Sequence, residues 1–180
     1  FMPNIDDTTV EAMLNVCTAY KGYCFPMIGF HPTSVGADSL FRIYEMKKLL
    51  SGEHPFVAVG EVGMDLYWDK TYLKEQQKAL DIQIQWALEY HLPLVLHCRE
   101  AFPELFEVME PYKKTELSGI FHSFTGTLEE AGQGLEYARF FFGINGVVTF
   151  KKSSLAEVLP HIPLDRIVLE TDSPYLAPVP

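Results

Sequence analysis

The sequence has no apolar run approaching the ~18 residues a membrane-crossing helix needs, so no transmembrane span is predicted. Its start, FMPNIDDTTV, has no basic flank ahead of an apolar stretch, and no signal peptide is visible. Cysteine is scarce. Cys17, Cys24 and Cys98 are odd in number and have no CxxC spacing. That argues against a disulfide framework and against zinc held by thiolates, and it predicts a reducing, cytoplasmic compartment. Positive charge is also scarce, with 14 Lys and Arg against 24 Asp and Glu, a net charge of −10. That argues against a protein that coats nucleic acid through a basic surface, but not against an enzyme that grips phosphate through metal ions. There is no low-complexity tract, no GxGxxG turn for a dinucleotide and no GxSxG elbow for a serine nucleophile.

What remains is a globular composition, 48% hydrophobic over 180 residues, read as one domain spanning 1–180. Short apolar runs recur at 24–30, 56–63, 92–98, 118–124, 140–148 and 166–172. Their continuous apolar, β-branched and aromatic character suits strands buried on both faces of a parallel sheet. Helical patterns lie between them. Leu73, Leu80, Ile84 and Ala87 share one face, and Thr127 with Glu130 has capping-box spacing. Ala101, Leu105, Val108 and Met109 make another apolar stripe. This βαβ rhythm leaves a barrel or a doubly wound sheet.

Polar residues gather at the ends of these runs. His31, Glu61, His97, His122 and Asp172 each follow one, and the run at 140–148 is read as contributing no ligand. His54, His91 and His161 precede strands instead and are assigned to the opposite face. In a barrel all strand C-termini open on one face, so the five would converge. A carboxylate that ends a buried strand needs a partner, and three histidines with two carboxylates point to a metal site. Strand alternation puts Glu61, Gly63 and Asp65 on one side, His97 with Arg99, and Glu170 with Asp172. Cys98 then points toward the helices and is rejected as a ligand. Gly60 and Gly63 read as removing bulk near the ion. Arg99 reads either as a clamp for an anionic oxygen or as an ion-pair partner of Glu61 or Asp65. Donors without thiolate suit Zn, Mn, Fe or Mg.

The motifs GFHP (29–32), VGEVGMDLYW (59–68), LHCREA (96–101), FHSFTG (121–126), GINGVVTFK (143–151) and LETDSPYLAP (169–178) together resemble the TatD family of metal-dependent deoxyribonucleases, in order and spacing over essentially the whole chain. The resemblance implies a (β/α)8 TIM barrel. Here the barrel lacks a match to the family's first strand, with its HxH pair, and to the last helix, so the chain reads as strands two to eight. It implies DNA exonuclease activity, with RNA as an alternative substrate, by attack of metal-activated water. Two divalent ions are implied, Mg²⁺ first, with Zn or Mn as alternatives. Glu61 would bridge the ions, His97 and His122 would bind one of them, and Asp172 would bind metal and deprotonate water. His31, Asp65, Tyr67, Arg99 and Glu170 would contact substrate or order the ligands, with Ser173 in support. No obligate protein partner is implied. A metal-dependent ester, amide or lactone hydrolase, or a catalytically dead metal-binding protein, stands as the alternative.

Overall fold

A computed structural model describes residues 1–179. Among these residues six strands form one parallel sheet: β1 (Met27–Ile28), β2 (Ala58–Asp65), β3 (Leu94–Arg99), β4 (Gly119–Phe121), β5 (Phe140–Ile144) and β6 (Ile167–Leu169). Each strand pairs with its neighbour in sequence, in the order β1-β2-β3-β4-β5-β6. Helices fill the intervals: α1 (Val10–Ala19), α2 (Ser39–Lys47), α3 (Leu73–Glu89), α4 (Phe102–Met109), α5 (Leu128–Leu135) and α6 (Leu155–Val158). Parallel strands joined in sequence order through helices bring the strand C-terminal ends to one face, as in a barrel. No helix among the described residues is long and apolar enough to cross a membrane.

The helices form where pattern and caps agree. At α5 the Thr127 hydroxyl accepts from the Glu130 backbone and the Glu130 carboxylate accepts from the Thr127 backbone, the reciprocal cap its sequence predicts. The helix tolerates Gly134 because a Cβ there would lie 2.8 Å from the Phe142 ring. Under α4 and α5 the rings of Phe102, Phe106, Phe121, Phe124, Phe140 and Phe142 pack edge to face or tilted, mostly 5–6 Å apart, and Tyr137 stacks on Phe106 at 6.0 Å.

Several strands differ from their predicted extents. The run at 140–148 pairs only to Ile144, and Gly146–Thr149 turns into a 3-10 helix because the Asn145 side chain accepts from the Val147 N–H. The run at 24–30 pairs with β2 only at Met27 and Ile28. Just before it Pro26 has no N–H to offer, and the chain at Met2 lies parallel beside it, Met2 N–H on Phe25 O at 2.8 Å and Met27 N–H on Met2 O at 2.9 Å. β2 outlasts its prediction, reaching Asp65, and its register against β3 shifts between Val59 and Val62. Glu61 sits in that irregularity, the kind of position where a strand re-aims a side chain.

Helix α3 buries two amides that the apolar pattern does not announce. Gln83 accepts from Phe30 N–H at 2.7 Å and donates to Phe30 O at 3.3 Å. Gln76 accepts from Asp65 N–H at 2.9 Å and donates to Asp65 O at 3.0 Å. Each satisfies backbone groups where a strand stops pairing, and each does so beside a site residue, His31 or Asp65.

Candidate metal centre

The strand ends bring the predicted residues together in two linked groups. In the first, His31, Glu61 and His97 each offer a ligand atom, all within 4.8 Å of one another. His31, expected to contact substrate or order the ligands, thus stands among the groups that could hold a metal ion. His97 is braced from both sides, by Glu61 Oε1 at 3.2 Å on Nδ1 and by Asp65 Oδ2 at 2.8 Å on Nε2. Asp65 is 3% exposed and also accepts the Tyr67 N–H at 3.1 Å. His31 opens a short 3-10 turn and its Nδ1 lies 2.6 Å from Thr33 Oγ1. The same Nδ1 accepts the Thr33 N–H at 3.2 Å, so the Thr33 hydroxyl donates to it as well.

In the second group, His122 Nδ1–H donates to Glu170 Oε2 at 2.7 Å while Nε2 lies 2.8 Å from Asp172 Oδ1. Glu170 also accepts the Ser123 N–H. Space for its carboxylate comes from Gly143, where a Cβ would lie 2.3 Å from Glu170 Oε1. The same Glu61 oxygen that meets His97 stands 3.7 Å from His122 Nε2. One carboxylate oxygen thus joins the two groups.

The ionisation states follow from this crowding. Burial and the neighbouring His97 push His31 down to about 4, so it is neutral at pH 7. Burial also works against charge on His122, but Glu170, Glu61 and Asp172 outweigh it and raise the ring to about 9. His97 is raised in the same way by Asp65 and Glu61 against its own burial. Despite burial, the histidines hold Glu61 and Asp65 below the usual carboxylate values. Four carboxylates, Glu61, Asp65, Glu170 and Asp172, thus crowd the two rings whose pKa values they raise, His97 and His122. Imidazole and carboxylate donors converging without thiolate, around a surplus of negative charge, fit a divalent cation that balances it.

Two expectations change. Arg99 forms no ion pair with Glu61 or Asp65. Its guanidinium lies 3.6 Å above the Tyr67 ring and 5.4 Å from that of Trp68. Gly60 and Gly63 make room for β3, not for an ion: a Cβ on Gly60 would lie 2.7 Å from Val95 Cβ, and one on Gly63 1.9 Å from His97 O. The Ser173 N–H donates to Thr171 Oγ1 at 3.1 Å, and that hydroxyl donates to Ser173 Oγ at 3.2 Å. Cys98 is buried in the core cluster and its thiol pKa is raised by that burial, as expected of a residue pointing away from the site.

Asn145 is the residue the sequence reading passed over. It is 6% exposed at the end of β5, and its Nδ2 donates to Ser123 Oγ at 2.7 Å and to Asp172 Oδ2 at 3.2 Å. The signal was available, since it is a polar residue directly after FFFGI, where the other strands carry their ligands. Asn145→Ala is expected to lower turnover about 10–100-fold by freeing Asp172. It should also cost about 1–3 kcal/mol of stability through the partners left unpaired. Turnover measured well below the melting temperature separates the two effects.

Comparison with known proteins agrees with this geometry. The family described as TatD related DNase matches residues 1–180. The "3'-5' ssDNA/RNA exonuclease TatD" of Pantoea sp. (strain At-9b) is 36% identical over 161 residues, covering 88% of this chain and 61% of that protein. The "Uncharacterized metal-dependent hydrolase YabD" of Bacillus subtilis (strain 168) is 32% identical over 97% of this chain and 68% of its own length. Among solved structures, YJJV, a TatD homologue from Escherichia coli, superposes with a TM-score of 0.83 at 26% identity, covering 98% of this chain and 68% of that one. The chain therefore spans about three-fifths of the length of the Pantoea relative.

Proposed function

The chain belongs to the TatD-related DNase family, and on that premise we propose that it serves a metal-dependent exonuclease that removes nucleotides from single-stranded DNA, with RNA as a second substrate. The observation that carries this is Glu61, whose single oxygen lies 3.2 Å from His97 and 3.7 Å from His122. In this reading residues 1–180 act as one unit, because Glu61 joins the two halves of the site.

Glu61, His31, His97, His122 and Asp172 would hold the divalent ions, Glu61 being the carboxylate within reach of both imidazole groups. Mg²⁺ suits the oxygen-rich half, and the imidazoles also accept Zn²⁺ or Mn²⁺. Such ions supply positive charge against the developing charge on phosphate and make water more acidic. Asp65 holds His97 in place and Glu170 holds His122. Asn145 fixes one Asp172 oxygen, and Asp172 takes the proton of the attacking water. Arg99, with no carboxylate partner, is available to a phosphate oxygen. The three free cysteines accord with a reducing, cytoplasmic setting.

The experiment is incubation of the purified protein with end-labelled single-stranded DNA and Mg²⁺. Stepwise nucleotide release that stops on chelation is the expected result. No release, alongside turnover of a simple ester, would replace this reading with that of a different hydrolase on the same scaffold.

Metal binding should also depend on pH with a definite sign. His31 is already neutral at pH 7, whereas His122, raised to about 9, must lose a proton to become a ligand. Apparent affinity is expected to rise from pH 6 to about 9 and flatten above it, with proton release measurable by calorimetry in buffers of different ionisation enthalpy.

A further inference from the structure

Trp68 follows β2 by three residues and is 73% exposed, whereas Trp86, the other tryptophan of the 180 residues, is 1% exposed. An indole left in water at the rim of a candidate active site calls for an explanation, since tryptophan is on average highly buried. It is not isolated. Its ring meets Tyr67 edge to face, 4.7 Å apart at 89°, and Tyr67 is itself 46% exposed. The Arg99 guanidinium lies over Tyr67 and 5.4 Å from the indole centroid. The group is anchored to the metal centre at its base. Tyr67 N–H donates to Asp65 Oδ1, Asp65 Oδ2 meets His97, and Arg99 stands opposite Asp65 in the β2–β3 register.

We propose that Trp68, with Arg99 beside it, forms a base-stacking subsite for the strand entering the metal centre, a proposal that rests on the nuclease reading above. A planar ring lies on the exposed indole face while the anion attached to it takes the guanidinium N–H groups. A nucleotide carries both parts within one residue, and stacking is tolerant of base identity because every base has a π-face. A base inside a duplex has both faces covered by its neighbours, so the subsite takes bases at strand ends or in unpaired strands. Trp68 is here a positioning residue that holds the strand and leaves the chemistry to the carboxylates and histidines.

The test uses the Asp172→Asn protein with Mg²⁺, so that the strand is not consumed, titrated with oligothymidylate while tryptophan emission is read. Quenching is expected, and Asp172→Asn/Trp68→Phe should lose it because the buried Trp86 is out of reach. With Asp172 intact, Trp68→Ala should raise KM for single-stranded DNA about 5–100-fold with little change in kcat. The increase should vanish on an oligonucleotide whose terminal residues are abasic. Hydrolysis without quenching, or a Trp68→Ala KM equal to the parent's, overturns the subsite and leaves the nuclease reading standing. Quenching without hydrolysis by the parent protein supports the subsite and overturns the nuclease reading. Absence of any binding overturns both.

Discussion

Glu61→Gln should reduce nucleotide release by about 10³-fold or more while the protein remains folded. The amide has the same shape as the carboxylate, so packing in the β2 irregularity is kept. What is lost is the negative charge on the oxygen that faces both His97 and His122. Without it, neither half of the site presents a shared anionic ligand to a cation. His97 and His122 also lose one of the carboxylates that raise them. Rates on single-stranded DNA, a circular dichroism spectrum and a melting curve measured together decide the matter. A folded variant with more than a tenth of the parent's rate would remove Glu61 from its place in the proposal.

Gly63→Ala is expected to act on stability and to be severe. Gly63 has φ +141°, a backbone conformation that a side chain opposes, and an added Cβ would fall 1.9 Å from His97 O on the adjacent strand. The obstacle is backbone on both sides, so rotamer changes give no relief. β2 and β3 would have to separate at the point where Gly63 pairs with His97. A loss of about 4 kcal/mol or more follows, enough to leave a protein of ordinary stability largely unfolded. Denaturant titration, or the soluble yield where unfolding is complete, measures it. A melting temperature within a few degrees of the parent's would mean that the strands yield there. Gly132→Ala is the matched control, since its added Cβ meets nothing within 4 Å and φ is ordinary.

The contrast between these glycines shows what the sequence could convey. A buried parallel strand ending in a polar residue leaves a plain pattern, and His31, Glu61, His97, His122 and Asp172 were all legible from it. So were α3, α4 and the α5 cap, whose signals lie within a few residues of one another. What escaped depends on partners distant in the chain. Whether Gly63 spares room for an ion or for His97 O is decided by β3. Whether Arg99 pairs with a carboxylate or lies on Tyr67 is decided by a loop after β2. Gln76 and Gln83 interrupt an apolar face with no local sign that they close off the ends of β2 and β1. Asn145 lies within the apolar run 140–148, which reads as one strand, whereas the turn that ends the strand is made by Asn145 itself. The grouping of His31 with Glu61 and His97 follows from how far Glu61 is re-aimed in β2, which strand alternation alone does not give.

The sequential order of the strands has a consequence for synthesis. Because every strand pairs with the one made just before or after it, the site is built in the order in which the ribosome delivers it. His31, Glu61, Asp65 and His97 are all present once β3 has emerged. At about 5–20 residues per second, Asp172 follows His97 by about 4–15 s. During that interval the nascent polypeptide carries the first cluster of candidate cation donors without the acid proposed to take the proton. A translation product cut short anywhere between β3 and Asp172 would keep the first three donors and have no means of using them.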